Sequence, residues 1–113
     1  MSKIDSPVIS EVIQRLQDGS RQYYLKEGNN TVATVVVTLI NETDYEIKGL
    51  WINPEYRRMG FARALISRVK KEYLGTKLVA TVRSDYAALM RELGFRKVET
   101  VDKWELTDNA LES

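Results

Sequence analysis

The spacing of apolar positions changes character along the chain. Over residues 7–16, Val8, Ile9, Val12, Ile13 and Leu16 fall at helical spacings, and Asp18-Gly19-Ser20 follows as a stop, which predicts a short amphipathic helix. Residues 21–26 (Arg-Gln-Tyr-Tyr-Leu-Lys) read as a strand, and Glu27-Gly28-Asn29-Asn30 reads as a hairpin turn, since Gly and Asn tolerate the positive φ such turns need. Residues 31–40 are β-branched or apolar at nearly every position, the pattern of a central strand covered on both faces. A turn at residues 41–44 leads to a further strand over 45–52, ended by Asn53-Pro54 because proline drives its predecessor out of helical space.

The period then lengthens. Phe61, Ala62, Leu65, Ile66, Val69 and Tyr73 mark one face of a helix, Arg63, Arg68, Lys70 and Lys71 lie largely opposite, and Gly75 stops it. Residues 77–82 read as a short strand, 85–93 as a second helix closed by Gly94, and 95–106 as a final extended segment interrupted near Asp102. The resulting order, α-β-β-β-α-β-α-β, predicts an α/β (α+β mixed sheet) fold: an antiparallel meander, then a β-α-β unit, with helices on both sides of the sheet. A ferredoxin-like sandwich requires two β-α-β units, and the first half offers a hairpin instead. The 113 residues fit a single domain with its core over 21–106 and a frayed tail over 107–113.

Composition narrows the chemistry. The chain has no Cys and no His, so disulfides, Cys/His zinc sites, thiolate nucleophiles and His-centred triads are excluded, and no metal is expected. Neither a signal-peptide core nor a run of about 18 apolar residues is present, so the expected location is the cytoplasm with no membrane partner. The net charge of +1 conceals segregation: residues 57–97 carry eleven Lys/Arg against three Asp/Glu, a local +8. That segment is a candidate anion-binding region. Nucleic acid is a poor fit, because the basic residues are not interleaved with a stacking surface of aromatics and no helix-turn-helix pattern is evident.

The stretch Leu50-Trp-Ile-Asn-Pro-Glu-Tyr-Arg57-Arg58-Met59-Gly60-Phe61-Ala62-Arg63 joins strand, loop and helix. A loop entering a helix presents backbone N–H groups without intrahelical partners, and the helix dipole adds positive potential, so a diphosphate is well accommodated there. Gly60 and Ala62 allow close approach to the main chain, and Arg57, Arg58 and Arg63 add charge. The plain alternative is a glycine before a helix whose cations form its wet face. A Walker loop and a dinucleotide fingerprint both fail, for want of Gly-Lys-Ser/Thr and of three spaced glycines.

Arg57-x-x-Gly60-x-Ala62, set between an apolar strand with Asn-Pro-Glu-Tyr and an amphipathic helix, resembles the Arg/Gln-x-x-Gly-x-Gly/Ala signature of the Gcn5-related N-acetyltransferases. Leu93-Gly94-Phe95 is similar to the Leu-Gly-Phe that ends that family's next helix, and the resemblance spans roughly residues 21–106. It implies that the strands at 45–52 and 77–82 run parallel and splay apart to admit the pantetheine arm of acetyl-CoA. Main chain near Leu50 and Ile52 would bind the arm, and amides from Arg58 through Met59, Gly60, Phe61 and Ala62 to Arg63 would hold the pyrophosphate. The resemblance further implies direct acetyl transfer to an amine in a ternary complex: a primary amine of a protein lysine, an N-terminus or a small molecule.

Such transfer needs a base for the ammonium, a donor toward the thioester carbonyl and an acid for the departing thiolate. With no His, Glu46 is the candidate base, sharing strand parity with Lys48, Leu50 and Ile52; as a plain strand residue it would simply pair with Lys48. The Leu50 amide is the candidate oxyanion donor. The family's usual Asn and general-acid Tyr positions hold Arg83 and Met90, leaving Tyr86 as the substitute acid unless the thiolate departs unaided. Only about 20 residues precede Arg21, where the family has a strand and two helices that wall the acceptor site. An open site suits a protein surface or peptide terminus, or completion by a second subunit in a homodimer. Tyr23, Tyr24, Tyr45 and Trp51 are candidates to line it, although aromatics on strands usually pack in a core. The competing reading is a non-catalytic CoA-binding or protein-interaction module with the same fold.

Overall fold

The computed structural model describes residues 9–98, 103–107 and 109. Among them the chain forms β1 (Ser10–Arg15), β2 (Arg21–Glu27), β3 (Asn30–Leu39), β4 (Asp44–Ile52), α1 (Phe61–Glu72), β5 (Lys77–Thr81), α2 (Ala87–Glu92), β6 (Arg96–Lys97) and β7 (Lys103–Leu106). The strands make one mixed sheet in the order β1-β2-β3-β4-β5-β7-β6, with β4 and β5 parallel and the other neighbours antiparallel. The meander and the parallel pair are those the sequence predicts.

Helix α1 forms because Leu65, Ile66 and Val69 stack on one stripe and are fully buried against β2, β3 and β4. Each such side chain contributes about 1.5–3 kcal/mol on burial. On the wet face Arg68 donates to Glu72 one turn on, at 2.6 Å. The core continues through Tyr23, Leu25, Val35, Val37, Ile47, Leu78, Ala80 and Trp104. Arg91 of α2 lies over the Trp104 ring, and Lys70 of α1 donates to the Leu93 carbonyl at 2.7 Å, so both helices lie on the sheet face that carries Ile47 and Trp104.

Four expectations are corrected. The first element is a strand, not a helix: β1 pairs with β2, Val12 opposite Tyr24 and Ile13 opposite Tyr23. Spacings of three, four and one also suit a strand exposed on both faces, and β-branched Val-Ile favours extended backbone that cross-strand bonds then hold. The sheet carries helices on one face only among the described residues, so the opposite sides of β2, β3 and β4 (Gln22, Tyr24, Thr34, Val36, Thr38, Glu46) are half-buried rather than sealed. The second helix divides into a 3₁₀ turn over Ser84–Tyr86 and a short α2.

The final extended segment is a hairpin, Arg96 opposite Glu105 and Lys97 opposite Trp104; the expected interruption near Asp102 falls outside the described residues. Within the tail expected to fray, Asn109 is docked. It is 1% exposed and its Nδ2 donates to the carbonyls of Lys70 and Tyr73, which have no further helical partner at the C-terminus of α1.

Candidate active site

β4 is paired with β5 only from Asp44 opposite Lys77 to Ile47 opposite Ala80. Beyond Ile47 the two strands part. On its other side β4 meets β3 through a bulge, because Val36 faces Lys48 while Thr34 faces Trp51, which puts one extra residue on β4. Gly49 sits there with φ 67°, a left-handed conformation that only glycine adopts without penalty. The bulge reverses the alternation of side chains. Glu46 and Lys48 lie on the open face, yet Ile52, expected on that face with them, turns to the helix side and is 4% exposed, while Trp51 turns outward and is 44% exposed.

The gap holds two hollows. A smaller one, about 220 Å³, is lined by Gly49, Leu50, Thr81, Val82 and Arg83. A larger one, about 550 Å³, has Ile52, Arg57, Arg58, Gly60, Ala62 and Arg63 on one wall and Asp85, Tyr86, Ala88, Leu89 and Glu92 on the other.

The loop before α1 is held by residues that sequence reading passes over. The Asn53 N–H donates to Val32 O at 2.8 Å, its Nδ2 donates to Thr31 O at 3.1 Å, and its Oδ1 accepts from Glu55 N–H at 3.0 Å, which fixes the start of the 3₁₀ turn Pro54–Tyr56. The Tyr56 hydroxyl donates to Glu27 of the β2–β3 hairpin, a bond that pushes the phenol above its ordinary pKa, and its ring meets Phe61 edge-on. Arg58 (φ 65°) and Gly60 (φ 83°) are both left-handed, turning the chain sharply into the helix. Gly60 caps α1 without any side-chain bond, and no acidic residue stands in the first turn. The N–H groups of Phe61, Ala62 and Arg63 therefore open into the cleft with no charge to neutralise the helix dipole. A Cβ at Gly60 would meet nothing within 4 Å, so the mouth is spacious as well as electropositive. This donor set fits a diphosphate.

Arg57, Arg58, Gly60, Ala62, Arg63, Ile52 and Tyr86 are thus brought together. The Arg63 guanidinium is engaged across the cleft by both Glu92 oxygens at 2.9 Å, and its contribution at the mouth is its main chain. Met59 is 62% exposed at the loop tip and Phe61 packs toward the core. Glu46 is outside the large cleft; its Oε2 accepts from Thr81 Oγ1 at 3.2 Å, and Thr81 lines the smaller hollow. Burial raises the Tyr86 phenol above its ordinary pKa, Arg57 and Arg83 partly offsetting this, so the group stays protonated through neutral pH. Met90 is wholly buried, a packing residue. Of the aromatic candidates, Tyr23 and Tyr45 pack toward Tyr73 on the helix side, and Tyr24 and Trp51 face the open side. Among the described residues no cluster of three or more acidic or His/Cys side chains could hold a metal, and no helix is long and apolar enough to cross a membrane.

A parallel strand pair that parts over the uncapped mouth of the following helix defines a nucleotide-thioester type of cleft, and the comparisons agree. The sequence matches the acetyltransferase (GNAT) family over residues 4–103, and the chain belongs to that family. No curated protein matches the sequence significantly. Among solved structures, the chain is similar to the Bacillus subtilis N-acetyltransferase YlbP in complex with coenzyme A (TM-score 0.67, 18% identity, covering 78% of this chain and 68% of that one). It is also similar to the ribosomal-protein-S18-alanine N-acetyltransferase of Escherichia coli (TM-score 0.66, 19% identity, 81% and 70%) and to an acetyltransferase from Exiguobacterium (TM-score 0.68, 20% identity, 82% and 66%). At these identities the likeness concerns the fold.

Proposed function

We propose that the protein moves an acetyl group from acetyl-CoA directly to a primary amine. The observation that carries this reading is the continuity of the cleft: the half of β4 that lacks a β5 partner leads straight to the uncapped N–H groups of α1. Main chain at Leu50 and Ile52 offers strand-like hydrogen bonds to an extended arm, and the amides from Arg58 to Arg63, with the Arg57 and Arg58 side chains, take the diphosphate.

The thioester supplies the activated acyl group. The chain supplies the proton transfers from two sides of the sheet. Glu46, oriented by Thr81 on the open face, accepts a proton from the incoming ammonium, directly or through water. Tyr86, kept neutral by burial in the cleft, donates toward the departing sulfur. The Leu50 amide polarises the acetyl carbonyl. The open face, bearing Tyr24, Trp51 and Lys48 without a covering helix among the described residues, suits an acceptor amine carried on a protein surface or peptide terminus.

Isothermal calorimetry with acetyl-CoA and with desulfo-CoA tests the binding half, and a thiol-release assay over an amine and peptide panel tests the transfer half. Binding of both ligands, with thiol released only from acetyl-CoA and only with an acceptor, is expected. No heat with either ligand overturns the reading, and binding without turnover on any acceptor leaves a CoA-binding module in its place.

A further inference from the structure

The two edges of the sheet are built differently. The β6 edge is two residues long, Arg96 and Lys97, both cationic and exposed, which repels any strand brought alongside. The β1 edge is six residues long, all exposed, with Val12 and Ile13 at 42% and 44%. Its charges, Glu11 and Arg15, cancel.

The free hydrogen-bonding groups of β1 can be assigned. Leu16 N–H donates inward to Ser20 O at 2.8 Å. Because inward and outward residues alternate along an antiparallel ladder, Gln14, Val12 and Ser10 also turn their N–H and C=O groups to β2, opposite Gln22, Tyr24 and Lys26. Glu11, Ile13 and Arg15 turn theirs outward. The same three side chains share the helix side of the sheet, since Glu11 accepts from Arg68 Nε of α1 at 3.1 Å, whereas Gln14 accepts from Tyr24 on the open side.

We propose that β1 is a homodimer interface, two copies pairing antiparallel about a two-fold axis at Ile13 to continue the sheet. In that register Glu11 stands across from Arg15 of the second copy, Ile13 across from Ile13, and Arg15 across from Glu11. Each outward donor and acceptor finds a partner, and both outer pairs join opposite charges. A slip of two residues either way sets a charge against Ile13 and strands an outward residue, and parallel pairing brings like charges together. The inference does not depend on the acetyltransfer reading, and its tests read mass and cross-linking rather than activity.

Sedimentation equilibrium of the full chain is expected to give twice the 13.0 kDa protomer mass. Because the chain has no cysteine, Ile13→Cys introduces a single thiol. Across the two-fold its Cα is expected about 5.5 Å from its twin, within disulfide reach, while Val12→Cys lies on a diagonal of about 7–8 Å, outside it. Oxidation should therefore couple Ile13→Cys into a covalent dimer and leave Val12→Cys uncoupled. Arg15→Glu, which leaves the Arg68–Glu11 bond alone, should weaken the dimer about tenfold, and Glu11→Arg combined with Arg15→Glu should restore it. Circular dichroism checks that these exposed substitutions keep the fold. A monomeric wild-type chain, equal coupling of both cysteine variants, or a dimer indifferent to Arg15→Glu overturns the proposal.

Discussion

The two halves of β4 perform opposite tasks within nine residues. From Asp44 to Ile47 the strand is hydrogen-bonded on both sides and Ile47 is wholly buried. From Lys48 to Ile52 it bulges away from β3, parts from β5 and presents main chain to a hollow. Stability is concentrated in the first half and recognition in the second. The lesson is that a binding cleft can be opened inside a sheet without an extra domain: one glycine and the end of one pairing suffice.

This contrast can be broken or sharpened by substitution. Ile47→Ala removes buried atoms from the paired half and should cost about 3–4 kcal/mol, read as a lower urea midpoint, whereas Leu50→Ala in the parted half should cost about 1 kcal/mol or less. Gly60→Asp forces a left-handed Cβ and puts a carboxylate where the diphosphate charge belongs. Calorimetry should show acetyl-CoA affinity reduced on the order of a hundredfold, about 2.7 kcal/mol, with the fold retained.

Glu46→Gln should leave acetyl-CoA binding intact and lower turnover about tenfold or more near neutral pH, an effect Thr81→Val should share in part by freeing the carboxylate. Gly49→Ala, in open space but at φ 67°, should cost about 1 kcal/mol and weaken acetyl-CoA binding slightly as the bulge relaxes.

The smallest effect concerns Tyr73, beneath the paired half, whose phenol burial raises well above the model value of 10.0 and whose hydroxyl accepts from Tyr23 at 2.9 Å. The folded state then keeps a proton that the unfolded state releases, so the stability from this group is full below about pH 10 and declines as pH rises above it. Tyr73→Phe should flatten that alkaline decline in thermal melts.

What the sequence revealed divides by distance along the chain. The loop was legible because its determinants are adjacent: Pro54 ends the strand, Gly60 supplies the turn, and the apolar stripe of α1 follows immediately. The parallel pair was legible through resemblance and through the helix that must connect it. The first strand was misread because an edge exposed on both faces has no reason to alternate, and its apolar residues then imitate a helix. The bulge was invisible, so the parity drawn from Glu46 to Ile52 carried one residue too far. The contacts of Glu46 with Thr81 and of Arg63 with Glu92 join residues 35 and 29 apart, and nothing local marks either pair. Asn109 was read as tail because its partners are helix-end carbonyls, which side-chain patterns do not report.

The bond from Tyr56 to Glu27 means that the curvature of the loop before α1 is partly borrowed from a hairpin nearly thirty positions upstream. Randomising that hairpin, remote as it looks on a linear map, becomes a route to retune cofactor preference while sparing every group that would handle the acyl chain.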